Sequence, residues 1–130
     1  MKILLGYKGT NVGQDLLNLA IQHAKAFNGQ VILVTSLLGG EKTTQEMAIS
    51  AEENLATAQK IVEAAGIGCE SHLLVRGRFP GEDLVSFALE NNCDEIIIGV
   101  KSRSKVGKML FGSTAQHVIL HSPCPVVSLR

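Results

Sequence analysis

The sequence predicts a doubly wound α/β fold, in which helices cover both faces of a five-stranded parallel sheet. Segments typical of strands and of helices alternate along the whole chain of 130 residues. The second strand segment, residues 30–36, is a continuous β-branched run rather than an alternating one, as expected for a strand buried on both faces of a parallel sheet. Right-handed crossovers then favour the strand order 3-2-1-4-5. We therefore expect a single domain that spans residues 1–130.

The strands are recognised as short apolar runs that are bounded by turn residues. The third alternates in part, which indicates a position near a sheet edge. The fifth follows Pro123 and Pro125, and because proline cannot donate to a ladder we place that strand at an edge. The predicted strands cover residues 2–7, 30–36, 68–75, 94–99 and 126–129.

Four helices join the strands, and their apolar residues recur at steps of three and four. The first begins at Asn11 and ends at Asn28-Gly29, as expected of a C-terminal cap. Thr43 and Glu46 fit a capping box at the start of the second helix, and the fourth runs from about residue 113 to 120. The residues expected to face the core are Leu16, Leu17, Ala20, Ala24 and Phe27 in the first helix, Met47, Ala51, Leu55, Ala58, Val62 and Ala65 in the second, and Leu84, Phe87 and Ala88 in the third.

Composition excludes several classes of protein. The 12 basic and 12 acidic residues give a net charge of zero, which argues against a nucleic-acid or membrane polycation. No window approaches the roughly 18 apolar residues of a membrane span. The three cysteines are far apart and fit a reducing compartment rather than a disulfide framework or a zinc site. We therefore expect a cytoplasmic protein.

The residues from 95 to 114 have the pattern of an anion site. A buried strand ends at Gly99, a basic loop follows, and Gly112-Ser113-Thr114 opens a helix whose first N–H groups have no internal partners. Residues 96–130 contain no Asp or Glu. In the predicted strand order the loops after Tyr7 and after Gly99 meet at the switch point, where doubly wound sheets bind ligands. The basic residues of the loop are Lys101, Arg103, Lys105 and Lys108.

Three other candidate motifs are rejected, because their residue spacing is wrong or because a required ligand residue is missing. Residues 102–109 resemble a Walker A loop, but Ser102 replaces its first glycine and Met109 its magnesium-binding residue. The glycines of the first loop do not have the spacing of a dinucleotide fingerprint. His117 and His121 are four residues apart, yet no third metal ligand is near, so one surface and one half-buried histidine are expected.

The remaining reactive side chains favour structural roles. Ser113 lacks a nucleophile-elbow context, so we interpret it as a helix cap or a phosphate ligand. The pairs Glu52-Glu53 and Glu82-Asp83 are interpreted as solvated acids of helical first turns. Cys93 and Cys124 are expected to be small core residues. No catalytic residue is identified.

At these residues the sequence resembles the universal stress protein family over essentially its whole length. ATP-binding members carry Gly, two residues, Gly, nine residues, Gly, then Ser or Thr. Here Gly99, Ser102 and Gly112-Ser113 keep that spacing, and the ending at residues 121–127 is also similar. The resemblance implies a flavodoxin-like homodimer, formed through the C-terminal strand at residues 124–129, that binds ATP or AMP or no nucleotide. It implies ribose and phosphate contacts at Gly99, Ser102, Gly112, Ser113 and Thr114, and adenosine near Gly6, Ser36 and Ile98.

Two departures from the family pattern bear on function. Ser102 replaces the second motif glycine, and Lys8 replaces an acidic residue that often follows the first strand. We expect Lys8, Arg103 and Lys108 to add positive charge to the site and to weaken any dependence on magnesium. Three functions remain open: a nucleotide-binding stress protein with at most slow ATP hydrolysis, a dimeric interaction module without nucleotide, and a true hydrolase or adenylyl-transferring enzyme, which the lack of an identifiable general base disfavours.

Overall fold

The computed structural model describes residues 1–9, 11–100 and 112–130. Strands and helices alternate as predicted. The strands are β1 (Lys2–Gly6), β2 (Gln30–Leu37), β3 (Cys69–Val75), β4 (Glu95–Gly99) and β5 (Val126–Leu129). The helices are α1 (Asn11–Phe27), α2 (Gln45–Ala64), α3 (Pro80–Glu90) and α4 (Ser113–His121), with a 3-10 turn at Gly40–Lys42 before α2.

The five strands form one parallel sheet in the order β3-β2-β1-β4-β5. The predicted strand order is therefore confirmed, with β3 and β5 at the two edges. The sheet is flavodoxin-like, with helices on both faces. Because β1 pairs with both β2 and β4, the crossovers change sides at β1, and the ends of these three strands lie side by side.

Two hydrophobic clusters cover the two faces of the sheet. Along β1 the side chains alternate, so that Ile3 and Leu5 face α1 and α2 while Leu4 faces α3 and α4. All three residues are fully buried. This burial on both faces explains why the central strands are almost uniformly apolar.

Most helix boundaries follow the predicted signals. Asn28 adopts a left-handed backbone conformation directly after α1, and Gly66 and Asn92 do so one residue beyond the C-caps of α2 and α3. Pro80 is the first residue of α3, where its missing N–H costs no hydrogen bond. The predicted capping box is wrong by one residue, because Thr44 caps α2 through a bond from Met47 N. The Thr43 hydroxyl instead accepts a hydrogen bond from Gly39 N.

The predicted core stripes hold except at helix ends. Phe27 is 56% exposed and Met47 is 44% exposed. Phe27 is the last residue of α1 and contacts the ring of His23 edge-on. Met47 lies in the first turn of α2, beyond the core, and Ala65 caps the helix at its other end. The apolar period is correct in these helices, but their terminal turns extend past the sheet.

The cysteines agree with the structural roles assigned to them. Cys93 and Cys124 both pack in the cluster between the sheet and helices α3 and α4. Burial raises the pKa of Cys93 to about 11 and that of Cys69 to about 12. All three cysteines are free thiols. Cys69 and Cys93 are therefore protonated and unreactive near neutral pH.

Candidate functional site

A cleft of about 900 Å³ opens at the carboxyl edge of the sheet, above the ends of β1, β2 and β4. This is the switch point at which the sequence placed the site. Gly6 ends β1 in its floor, and a Cβ at Gly6 would lie 3.3 Å from Leu84 Cδ1 and 3.4 Å from Ile98 Cγ2. Leu84 and Ile98 therefore pack closely around Gly6, and a larger residue at this position would push against both side chains.

The start of α4 forms one end of the cleft. Gly112 is the N-cap, and its carbonyl accepts the hydrogen bond from Gln116 N. Because this N-cap is a glycine, it supplies no side-chain acceptor, and the amides of the first turn carry the positive end of the helix dipole. The interpretation of Ser113 as a cap is wrong, because Ser113 is the first helical residue. Its alternative role as a phosphate ligand remains a prediction.

The structure brings together eight of the eleven residues that the sequence assigned to the site. They line the cleft from the ends of three strands and from the start of α4. These residues are Gly6, Lys8, Ser36, Ile98, Gly99, Gly112, Ser113 and Thr114. The other three, Ser102, Arg103 and Lys108, lie outside the described residues.

The charged side chains that face the cleft form no ion pairs with other described residues. Lys8, Lys42 and Glu46 line the cleft and are exposed. Among residues 1–9, 11–100 and 112–130, none of the ion pairs includes any of these three side chains. Two ammonium groups and the helix dipole thus outweigh one carboxylate, which favours an anionic ligand.

The N-terminal half of α2 forms a wall of the cleft that sequence reasoning missed. Met47, Ser50 and Asn54 face the cavity from this helix. Asn54 also closes on the loop after β1, because a Cβ at Gly9 would lie only 2.5 Å from its Nδ2 atom. Gly9 has a left-handed φ of +70°, so the backbone favours glycine there. The sequence did contain a signal for this wall in Met47. Met47 is an apolar residue one turn before the buried part of α2, and that end of the helix borders the carboxyl edge of the sheet, where ligands bind.

A buried acid lies directly behind the cleft, and here the sequence prediction fails. Asp83 was expected to be solvated, but it is 0% exposed. Its carboxylate accepts hydrogen bonds from Ser36 Oγ at 2.9 Å and from Arg76 Nε at 2.6 Å. The neighbouring Glu82 is exposed, as predicted. The missed signal was helical period, because Asp83 lies four residues before the inward-facing Phe87.

Arg76 holds this acid from the end of β3. Its Nη2 atom lies 2.5 Å from Asp83 Oδ1, and its Nη1 atom lies 3.2 Å from Glu90 Oε2. The hydrogen bond to Asp83 raises the pKa of Arg76 above its usual value. A buried carboxylate is tolerated only when paired and hydrogen-bonded. The guanidinium and the first turn of α3 supply that compensation.

Helices α3 and α4 are in close contact beside the site. A Cβ at Gly81 would lie 2.8 Å from His117 Cβ and 3.3 Å from the Thr114 carbonyl oxygen. Gly81 therefore sets how closely the start of α4 approaches α3. His117 is half-buried and its ring lies 4.4 Å from that of the exposed His121. No group of three metal-ligating side chains occurs among the residues that the structure describes.

A doubly wound sheet with an anion-favouring cleft at its switch point defines the class of flavodoxin-like α/β domains. The particular family follows from comparison with known proteins. The model of the universal stress protein family matches residues 1–130. The chain belongs to this family.

Individual relatives cover nearly the whole chain. A universal stress protein structure from Archaeoglobus fulgidus is 37% identical, with a TM-score of 0.91 over 99% of this chain and 97% of that one. A second structure from that organism, in complex with dAMP, is 34% identical, with a TM-score of 0.84 over 99% and 96% of the two chains. A Thermus aquaticus protein, the universal stress protein in the QAH/OAS sulfhydrylase 3′ region, is 28% identical over 98% of this chain and 97% of its own length.

Proposed function

We propose that this protein is a cytoplasmic universal stress protein that binds an adenine nucleotide in the cleft, as a homodimer with a regulatory or stress-response role. The observation that carries the proposal is the junction of the α4 start, whose N-cap is Gly112, with the ends of β1, β2 and β4 in one cavity. A relative that is 34% identical over 99% of the chain was solved in complex with dAMP, which supports an adenine nucleotide. One domain over residues 1–130 performs the binding.

The phosphates lie at the start of α4. The amides of Ser113 and Thr114 there donate to phosphate oxygens, because helix N-termini bind anions. Ser102, Arg103 and Lys108 add donors and positive charge from the loop. Gly99 contacts the ribose, while Gly6, Ile98 and Ser36 surround the base. Lys8 supplies positive charge at the end of β1.

The protein binds rather than turns over its ligand, with slow ATP hydrolysis as the upper limit. Among the described residues, the acidic residue that lines the cleft is Glu46, and it is on α2 rather than at the start of α4. Lys8 in the position of the family's acidic residue replaces a magnesium ligand with a phosphate partner. Binding of ATP or AMP is therefore expected without magnesium.

Dimerisation uses the C-terminal strand, residues 124–129. β5 is an edge strand that pairs with β4 in the sheet, so its outer side can add a second copy by strand pairing. Val126, Val127 and Leu129 are half-buried there, and Leu120 at the end of α4 is 76% exposed. Burial of these apolar side chains would favour association. None of the helices in the described residues is long and apolar enough to cross a membrane.

The substitutions at Lys8 and Ser102 favour a second function, a dimeric interaction module that binds no nucleotide. The first experiment separates the two functions. Freshly purified protein is heat-denatured, the released small molecules are identified by chromatography, and ATP and AMP are titrated into stripped protein. The nucleotide function predicts copurified adenine nucleotide or micromolar rebinding, whereas an empty protein that ignores both ligands supports the interaction module.

Gly112→Val tests the position of the site. A valine at the N-cap places a side chain in the cleft beside the first-turn amides, and we expect at least a tenfold loss of affinity. Gly68→Val is the matched control, because a Cβ at Gly68 makes an ordinary 3.8 Å contact with Gln30 Cβ, away from the cleft. Equal affinities of the two variants would contradict binding at the α4 start.

A further inference from the structure

Ser36 reaches the cleft with its hydroxyl already committed. The residue lies near the end of β2, is half-buried and lines the cavity. Its side chain is on the face of β2 that also carries Ile32 and Val34, which pack towards α3. On that face the Ser36 hydroxyl donates its hydrogen to Asp83 Oδ2 at 2.9 Å.

Asp83 fixes the direction of this hydrogen bond. Its carboxylate is fully buried and takes hydrogen bonds from Arg76 on its other oxygen. A carboxylate that is paired with a guanidinium has only acceptors to offer, so the serine must be the donor. Arg76 is itself held by Glu90, which keeps the guanidinium in place. The network therefore has one polarity, from Arg76 and from Ser36 into Asp83.

The polarity of the network determines what Ser36 can offer a ligand. A hydroxyl has one hydrogen and two acceptor lone pairs. Since the hydrogen points to Asp83, the oxygen presents only an acceptor to the cleft. A ligand atom that meets Ser36 must then be a donor, and a carbonyl oxygen at that point would face a lone pair and lose its hydrogen bond with water.

We infer that Ser36, positioned by Asp83 and Arg76, selects a purine with an exocyclic 6-amino group over purines without one. The inference rests on the proposed function, since it assumes that a nucleotide occupies the cleft. β2 is two strands away from β4, roughly 10 Å at the usual strand spacing. A nucleotide with its phosphate at the start of α4 spans this width and brings the far edge of its base to Ser36.

The test is a double-mutant cycle between the protein hydroxyl and the ligand amino group. AMP and purine riboside 5′-monophosphate, which lacks only the 6-amino group, are titrated into wild-type protein and Ser36→Ala by calorimetry. Wild type should bind AMP about tenfold more tightly, the value of one well-formed hydrogen bond. Ser36→Ala should bind the two ligands with equal affinity, and a circular dichroism spectrum that matches the wild type shows that the variant is folded.

Ser71→Ala is the matched control. The Ser71 hydroxyl also donates to a side chain, Gln59 Oε1 at 2.7 Å, but Ser71 is on β3 outside the cleft lining. This variant should keep the tenfold preference. IMP, with a 6-oxo group, should bind wild type no better than purine riboside 5′-monophosphate.

The outcomes separate the inference from the proposed function. If wild type binds AMP and purine riboside 5′-monophosphate equally, or if Ser36→Ala keeps the preference, the inference is overturned while nucleotide binding stands. If wild type binds no nucleotide at all, the proposed function fails and the inference fails with it. A preference that disappears only in Ser36→Ala supports both.

Discussion

The amino and carboxyl edges of the sheet differ in how their charged groups are paired. At the amino edge, Lys2 N donates to Asp94 Oδ2 and Asp94 N donates to Lys2 O, while His23 Nδ1 lies 2.8 Å from Glu95 Oε1. At the carboxyl edge, Lys8 and Glu46 face the cleft without an ion pair among the described residues. The amino edge is thus closed by internal bonds, whereas the carboxyl edge presents the charged groups of Lys8 and Glu46 to a ligand.

This difference teaches where a stable α/β domain can carry function. Parallel strands bury their faces, so a ligand has access at their ends. Bonds at the amino edge stabilise the fold without regard to binding. The Asp83 network differs from these two charged groups, because it is hydrogen-bonded internally and still reaches the cleft through Ser36.

The largest expected effect on stability comes from breaking the Asp83 network. Arg76→Gln leaves the Asp83 carboxylate buried without its guanidinium, and we expect a loss of about 3 kcal/mol in the free energy of unfolding. Urea denaturation measures it. Arg78→Gln is the control, an exposed arginine two residues away with no ion pair in the described part of the chain. A loss below about 1 kcal/mol for Arg76→Gln would show that the buried pair is not needed.

The amino edge should respond to the burial of its histidine–glutamate pair. Glu95→Ala removes a carboxylate that is 7% exposed and leaves His23 without its partner, for an expected loss of about 2 kcal/mol. Glu70→Ala breaks the exposed pair with His72 on β3 and should cost less than about 0.5 kcal/mol. Nucleotide affinity should stay the same in both variants. Equal losses of stability would mean that burial does not set the value of these pairs.

A smaller effect is expected from the contact between α3 and α4, which connects the packing of these helices to the shape of the cleft. Gly81→Ala puts a methyl group 2.8 Å from His117 Cβ, so α4 must shift from α3. The higher helix propensity of alanine offsets part of this cost, and we expect a net loss of about 1 kcal/mol. Nucleotide affinity should fall a few-fold, because the start of α4 moves. Gly68→Ala, which meets no close atom, is the control, and unchanged affinity in Gly81→Ala would separate the α3–α4 contact from the site.

The smallest effect concerns magnesium. With Lys8 at the end of β1, the ATP dissociation constants with magnesium and with a chelator should agree within about twofold. Lys8→Asp restores an acidic residue and should make ATP binding depend on magnesium. Both constants are measured by calorimetry. A strict magnesium requirement in the wild type would contradict the assigned role of Lys8.

The sequence predicted the fold and the position of the cleft because both depend on simple patterns. Buried runs, caps and the order of elements determine the sheet, and strand ends determine the cleft. The α2 wall and the Asp83 network were missed, since they depend on which side chains meet across the chain. Ser36 and Asp83 are 47 residues apart, and an acid in a first helical turn is more often solvated than buried.

The most direct test is an NMR titration, in which AMP is added to isotope-labelled protein and the chemical shifts of the backbone amides are recorded at each step. The account predicts saturable shifts at Gly6, Ser36, Ser113 and Thr114, with no change at His23 and Glu95 on the closed edge. Shifts confined to the amino edge or to β3, or no shifts at millimolar AMP, would contradict a nucleotide site at the carboxyl edge of the sheet.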